Sequence, residues 1–424
     1  MAQIRPFRAY RPAPGMEKRI AALPYDVYNR EEAVQAVRRN PDSFLAVDRA
    51  ETAFGPEVDT YAPEVYRKAA SLLESRIREG QFVREERPVF YLYELTMEGR
   101  SQTGIVGCAS IDDYRNNVIK KHENTRADKE EDRVRHVDVC NMQTGPIFLA
   151  YRACGELREL TEAVKKEKPL YDFVSEDGIG HRVWVVREEE RIRQIRLLFE
   201  ELPAVYIADG HHRCASAVRV GMLRRQQHTG YDGSEEFNYF LSVLFPDEEL
   251  HILDYNRVIK DLNGFTEEEF LGRIGENFAV EEWDRPCSPE RKGVFGMYLG
   301  EKWYRLAAKP HLLSQDAVDG LDVSLLQNHL LGPVLGIQDP KTDKRIDFVG
   351  GIRGLGELER RVHTDMKVAF SMYPTSIGEL FAVADAGRLM PPKSTWFEPK
   401  LRSGLFLHHL EDGGPEGSIL SLPN

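Results

Sequence analysis

A short apolar run that halts on an acidic residue and a glycine, then resumes at helical spacing, constrains this chain more than any other stretch. Ala204-Val205-Tyr206-Ile207-Ala208 has the makeup of a buried strand, Asp209-Gly210-His211-His212-Arg213 breaks it, and Cys214-Ala215-Ser216-Ala217-Val218 reads as a helix that stops at Gly221. Strand, tight turn and helix together point to an α/β unit. The first turn of such a helix presents unpaired backbone N–H groups and the positive end of the macrodipole, so it suits an anion such as phosphate. Gly210 lets the backbone approach without a Cβ, Arg213 has the fork to pair with phosphate oxygens, and Asp209 has the charge to hold a magnesium ion or orient a hydroxyl. The competing reading is a plain helix start capped by Asp209 with two surface histidines. His211 and His212 are adjacent and point in different directions on a helix, so a zinc pair from this dipeptide is not expected.

A second cluster lies upstream. Between Asp112 and Asp138 the chain is densely charged, which a solvated helix face would explain, except that Lys120, Lys121, His122, Glu123, Thr125 and Arg126 gather at the exit from apolar Val118-Ile119, with Asp132-Arg133 following. A carboxylate among cations near a phosphate site is placed to accept a proton from a substrate hydroxyl, while Lys121, Arg126 and Arg133 neutralise phosphate charge. That reading takes Glu123 and Asp209 to meet in the fold. Cys214 reads as an inward-facing helix residue rather than a nucleophile, and Gly350 to Gly354 as a turn, since its spacing fits neither a P-loop nor a dinucleotide fingerprint.

The rest of the chain supplies a scaffold. Asn29 is placed to cap a helix through Val37, Tyr61 to Glu79 has helical spacing before Gly80, and Pro88 to Thr96 with Gly104 to Ile111 reads as paired strands. Further strands are expected at 145–151, 181–186, 238–245 and 250–258, and helices at 157–166, 266–274 and 323–331. These divide the chain into an α/β extension at 1–87, an α/β (α+β) domain at 88–260 and an α+β domain at 261–424, whose polar stretch Glu411 to Gly417 is expected to be flexible. With 424 residues the chain is long enough for two or three cores.

Charge and composition narrow the functions. Lys plus Arg number 57 against 69 Asp plus Glu, a net charge of −12 that argues against general nucleic-acid binding. No apolar run is long enough for a membrane span, and the N-terminus lacks a signal-peptide core, so a cytoplasmic protein is expected. Five scattered cysteines without a C-x-x-C indicate reduced thiols, not a disulfide framework or a structural zinc site.

Taken together, PYDV near the start, IKKHENTR with the DR that follows, MQTGPIF, IADGHHR and PPKSTWFEPKL near the end resemble, over almost the whole length, a large prokaryotic family of conserved proteins. The central domain is similar to the ParB/sulfiredoxin superfamily and its free serine kinases, chiefly in the DGHHR turn. The resemblance implies a nucleotide-phosphate and magnesium site at Asp209, Gly210, His211, His212 and Arg213, supported by Lys121, Thr125, Arg126 and Arg133. It also implies Glu123 as catalytic base beside His122, ATP or ADP as phosphoryl donor, and free L-serine as the first acceptor to consider. Where the sulfiredoxin branch has its reactive cysteine this chain has His211, which disfavours sulfinate chemistry. A nucleotide switch of the ParB type, or a phosphometabolite sensor without turnover, is the alternative. For the segments outside the central domain, completing the substrate pocket and forming a homodimer surface are the two roles left open.

Overall fold

The structure is a computed structural model and describes residues 2–411. The chain is a mixed α/β protein that divides into two units, the first made of Met1–Lys120, Asn124–Leu250 and Pro399–Asn424, the second of Lys121–Glu123 and His251–Glu398. The first 87 residues thus share a unit with the run expected as a central domain, and a returning C-terminal segment joins them. The expected flexible stretch beyond Glu411 lies outside the described residues.

The first unit is organised by a nine-stranded mixed sheet. In chain order its strands are β1 (Ile4–Arg5), β2 (Phe90–Met97), β3 (Arg100–Ser110), β4 (Ile119–Lys120), β5 (Ile147–Tyr151), β6 (Tyr171–Val174), β7 (Gly180–Val186), β8 (Val205–Asp209) and β9 (Tyr239–Pro246). Their spatial order is β4-β8-β5-β9-β3-β2-β7-β6, with β1 laid on β3. The paired strands read from residues 88–111 are β2 and β3, joined by a two-residue turn in which Glu98 and Gly99 both take positive φ, the twist-compatible hairpin geometry. Apolar side chains of Phe90, Leu92, Ile105, Leu149, Trp184, Ile207 and Phe240 form the sheet's core with the helices that cover it.

Five longer helices belong to this unit: α1 (Pro63–Arg78), α2 (Ala127–Cys140), α3 (Gly155–Lys165), α4 (Glu189–Glu201) and α5 (His211–Gln227). The Asn29 cap forms as expected, as a full capping box with Glu32 on the helix Arg30–Arg39. Helix α5 does not end at Gly221. A Cβ at that position would stand 2.4 Å from the Phe237 carbonyl oxygen, so this glycine is a point of close backbone approach inside the helix and not its stop. Helix α2 departs from the solvated face expected of so charged a sequence, because Asp132, Arg133 and His136 are buried beside Val134, Val137 and Cys140. Asp132 and Arg133 go inward as a pair, while Asp128 and Arg135 stay exposed.

The second unit holds a six-stranded antiparallel sheet built from β10 (Tyr255–Ile259), β11 (Phe278–Trp283), β12 (Val294–Leu299), β13 (Lys302–Ala308), β14 (Ile346–Gly350) and β15 (Val368–Ser371), in the order β11-β13-β12-β15-β10-β14. The hairpin expected at 294–307 is β12 and β13. Leu358 of the helix Leu355–Thr364 packs with Val258, Tyr298, Trp303 and Ala369 in this unit's core. The helix expected at 323–331 is α-helical over Asp322–Leu326 and then opens into a π-helical turn over Gln327–Leu331. The glycine-rich run is a turn, as read: Gly351–Arg353 form a 3-10 turn, and a Cβ on Gly350 would fall 2.7 Å from the Trp396 ring. Among the described residues no helix is long and apolar enough to cross a membrane.

Candidate functional site

Strand β8, glycine and helix α5 stand as the sequence suggested. The pairing of β8 with β5 shifts register between Ile207 and Asp209, an irregularity that re-aims the last residue of the strand. Gly210 follows in the left-handed region at φ 90°, which glycine alone adopts without strain, and α5 begins at His211. The N-cap residue is Gly210, which offers no side chain to cap the helix, and no acidic residue lies in the first turn. Asp209 is therefore not the helix cap of the competing reading. One of its carboxylate oxygens accepts the Gly210 N–H at 2.7 Å, and the other accepts the Lys400 ammonium at 2.9 Å. Burial works to raise the Asp209 carboxyl, but Lys400 and Arg213 outweigh it and hold the group well below the usual carboxylate range.

Arg213 lies in the first turn of α5. Its guanidinium donates to the Pro146 carbonyl at 3.0 Å and forms no ion pair among the described residues. It lines a cleft shared with Tyr25, Asp48, Arg133, His136, Thr144 and Ser403. Gly145 keeps that wall open, since a Cβ there would lie 2.9 Å from the Ser403 hydroxyl and 3.2 Å from Arg213. Arg133 lies 4.0 Å above the Tyr25 ring and pairs with Asp132 at 2.9 Å, while the Tyr66 hydroxyl donates to the same carboxylate at 2.9 Å. Burial pushes the Tyr25 hydroxyl up to about 12 against the pull of Arg133, so it stays a neutral donor. Deeper in the cleft Thr144 donates to Asp48 at 2.8 Å. Burial, then Arg133, lowers the His136 pKa, so that ring remains uncharged at neutral pH.

The other residues singled out from sequence are distributed unevenly. His212 is brought to the HENT segment: its Nε2 accepts the Arg126 backbone N–H at 3.0 Å, and burial lowers its pKa, which makes it a neutral acceptor and not a surface cation. The Arg126 guanidinium turns outward to Asp128 at 2.8 Å, and the Thr125 hydroxyl donates to Glu130 at 2.8 Å. His211 is buried at the head of α5, and Cys214 is fully buried in the sheet's core. Lys121, His122 and Glu123 are counted with the second unit, where the His122 carbonyl accepts the Met390 N–H at 2.8 Å.

Sequence reading missed Lys400, Tyr25 and Asp48. Tyr25 and Lys400 sit inside PYDV and PPKSTWFEPKL. The two Asp209 carboxylate oxygens already accept from Gly210 and Lys400, and among the described residues Asp209 belongs to no group of three or more side chains placed to share a metal ion, so a magnesium site centred on it does not fit.

The chain is therefore a mixed α/β protein whose larger unit presents an uncapped, glycine-led helix start beside a polar cleft. It belongs to the family described as Protein of unknown function (DUF1015), whose model matches residues 4–324. No curated protein matches it. Among solved structures it is similar to a free serine kinase mutant in complex with AMP, at 14% identity over 73% of this chain and 92% of that one, with a TM-score of 0.37. It is also similar to a conserved hypothetical protein from Pyrococcus furiosus, at 15% identity over 72% of this chain and 95% of the other, with a TM-score of 0.34. SbnI with a C-terminal truncation, from Staphylococcus aureus, aligns at 10% identity over 72% of this chain and 87% of its own, with a TM-score of 0.39. Likeness at that level assigns no activity to this chain.

Proposed function

We propose that this protein is a nucleotide-dependent phosphotransferase, a kinase that moves a phosphoryl group from ATP or ADP to a small hydroxylated metabolite, with free L-serine the first acceptor to test. One observation carries the reading: a 17-residue helix starts at a left-handed glycine that supplies no side-chain cap, with no acidic residue in its first turn, beside the Arg213 guanidinium, which forms no ion pair among the described residues. Phosphoryl transfer asks chiefly for positioning and charge neutralisation, and these groups are of the kind that supply both. Gly210 and the amides of residues 211–213 are the phosphate cradle in this reading. Arg213 and Arg133 add charge, and Glu123 keeps the role of general base that the family resemblance gives it. Magnesium, where it takes part, arrives with the nucleotide.

The test is an acceptor screen. The full chain is incubated with labelled ATP or ADP and magnesium, and amino acids and sugars are examined for transferred phosphate. Transfer to serine or another hydroxylated metabolite supports the kinase. Nucleotide binding without transfer to any acceptor would instead favour the ParB-like switch or a sensor, and absence of nucleotide binding would remove both.

A further inference from the structure

Two opposite charges line the cleft beside α5, and among the described residues they do not pair with each other. Asp48 is 5% exposed, accepts the Thr144 hydroxyl at 2.8 Å and forms no ion pair with a lysine or arginine among the described residues. The His136 Nε2 lies 4.0 Å from it and bonds the Val47 carbonyl at 3.3 Å, and burial keeps that ring uncharged, so no imidazolium stands in for the missing cation. Arg213 is the reverse case. It lines the same cleft, donates to the Pro146 carbonyl and forms no ion pair among the described residues, whereas Arg133, the other guanidinium of the cleft, is matched by Asp132. A buried carboxylate with no cation is costly to desolvate, and a ligand that brings the cation offsets that cost.

We infer that this cleft binds the zwitterionic head of a compact α-amino acid, with Asp48 taking the ammonium and Arg213, helped by the Tyr25 hydroxyl, taking the carboxylate. The inference rests on the kinase reading and deepens it, because it names amino acids as the acceptor class. A guanidinium fork matches a carboxylate in paired bonds, and an ammonium supplies charged donors to a carboxylate that so far holds only a hydroxyl. A sugar offers neither charge, and a hydroxy acid leaves Asp48 without its cation. The cleft encloses about 430 Å³, its open mouth included, and Ile147, Ala217 and Leu241 give it an apolar wall for a short side chain. Since Arg213 lies in the first turn of α5, the bound head sits next to the phosphate cradle. Transfer needs a hydroxyl on the amino acid, but binding needs the head alone.

The experiment is calorimetric titration of the full chain, with and without ADP, using L-serine, L-alanine and two serine analogues that each lack one charge, ethanolamine and 3-hydroxypropionate. L-serine and L-alanine should both bind the wild type, and each analogue should bind at least about tenfold more weakly than L-serine, the scale of one charged hydrogen bond. Asp48→Asn keeps an oxygen for the Thr144 hydroxyl and removes the charge. It should lose roughly tenfold or more in affinity for both amino acids and keep that for 3-hydroxypropionate. An analogue that binds as tightly as L-serine, or wild-type affinity for L-serine in Asp48→Asn, would overturn the inference; the ligand series on the wild type decides it even where the variant does not fold. ADP binding with neither amino acid bound would overturn the role of the cleft and leave the kinase reading to another acceptor. Amino-acid binding in a chain that binds no ADP would support the cleft and overturn the kinase reading, and binding of neither would overturn both.

Discussion

Replacing Gly210 by alanine separates backbone conformation from space. At φ 90° an L side chain is strained, yet the added Cβ would meet nothing closer than the Arg213 Nε at 3.4 Å, an ordinary contact. The cost is thus the conformational one alone, about 1–2 kcal/mol for an L residue held in the left-handed region. For a unit of this size that corresponds to roughly 2–8 °C in melting temperature. The turn relieves the strain by moving φ toward negative values, which rotates the N–H groups of residues 211–213 away from their common focus. ADP affinity should therefore fall by more than about tenfold, beyond what the stability change alone explains. Scanning calorimetry of the full chain gives the first quantity and titration with ADP the second. Asparagine tolerates the left-handed region better than alanine, so Gly210→Asn should recover a good part of the lost stability. Unchanged melting and unchanged ADP affinity in Gly210→Ala would refute the claim that this turn shapes the site.

Three other outcomes follow from the same geometry. Arg213→Ala should weaken ADP binding by tenfold or more, roughly the value of a charged contact, while melting stays near wild type, because the side chain gives up a single carbonyl bond; equal affinity in a folded variant counts against the assignment. Glu123→Gln should leave ADP affinity nearly intact and lower transfer to the best acceptor by roughly 100-fold, which rate measurements at matched occupancy would show; equal rates would take Glu123 out of the chemistry. Burial pushes the Glu236 carboxyl up, but His408 and Arg5 prevail and hold it at about 2 against an ordinary 4.5. A folded value below the unfolded one means stability that is present above pH 4.5 and lost as pH falls toward 2. Glu236→Gln should flatten that acid limb of the denaturation profile, and an unaltered limb would exclude the group as its source.

The strand–turn–helix segment was legible because everything that specifies it is local: β-branched and aromatic residues, a glycine that must adopt positive φ, and a run of helix formers. The paired strands on either side of Glu98-Gly99 and the Asn29 cap were readable for the same reason, while the turn residues and the Glu32 half of the capping box came only from the structure. What failed was where long-range packing decides. Gly221 reads as a stop by propensity, but the Phe237 backbone needs the space it leaves. The charges of α2 read as solvated, but Asp132 has Tyr66 and Arg133 as partners from within the fold, and such pairs leave no periodic trace. Lys400 and Asp209 are 191 positions apart, and nothing in either local sequence announces the other.

The larger unit is discontinuous along the chain, and this sets the order in which it is completed. Synthesis runs from the N-terminus at roughly 5–20 residues per second, so every strand of the nine-stranded sheet has been made before the long run of the second unit, His251–Glu398, is reached. Lys400, Ser403 and His408 come only after residues 251–398, and until then Asp209 lacks its ammonium and Glu236 its imidazole. A nascent chain is thus held as an open, unfinished form for the several seconds spent translating the insert. Any product cut short before these residues carries every strand of the sheet but lacks the Lys400 and His408 partners of Asp209 and Glu236, so those contacts report that residues 251–398 were made.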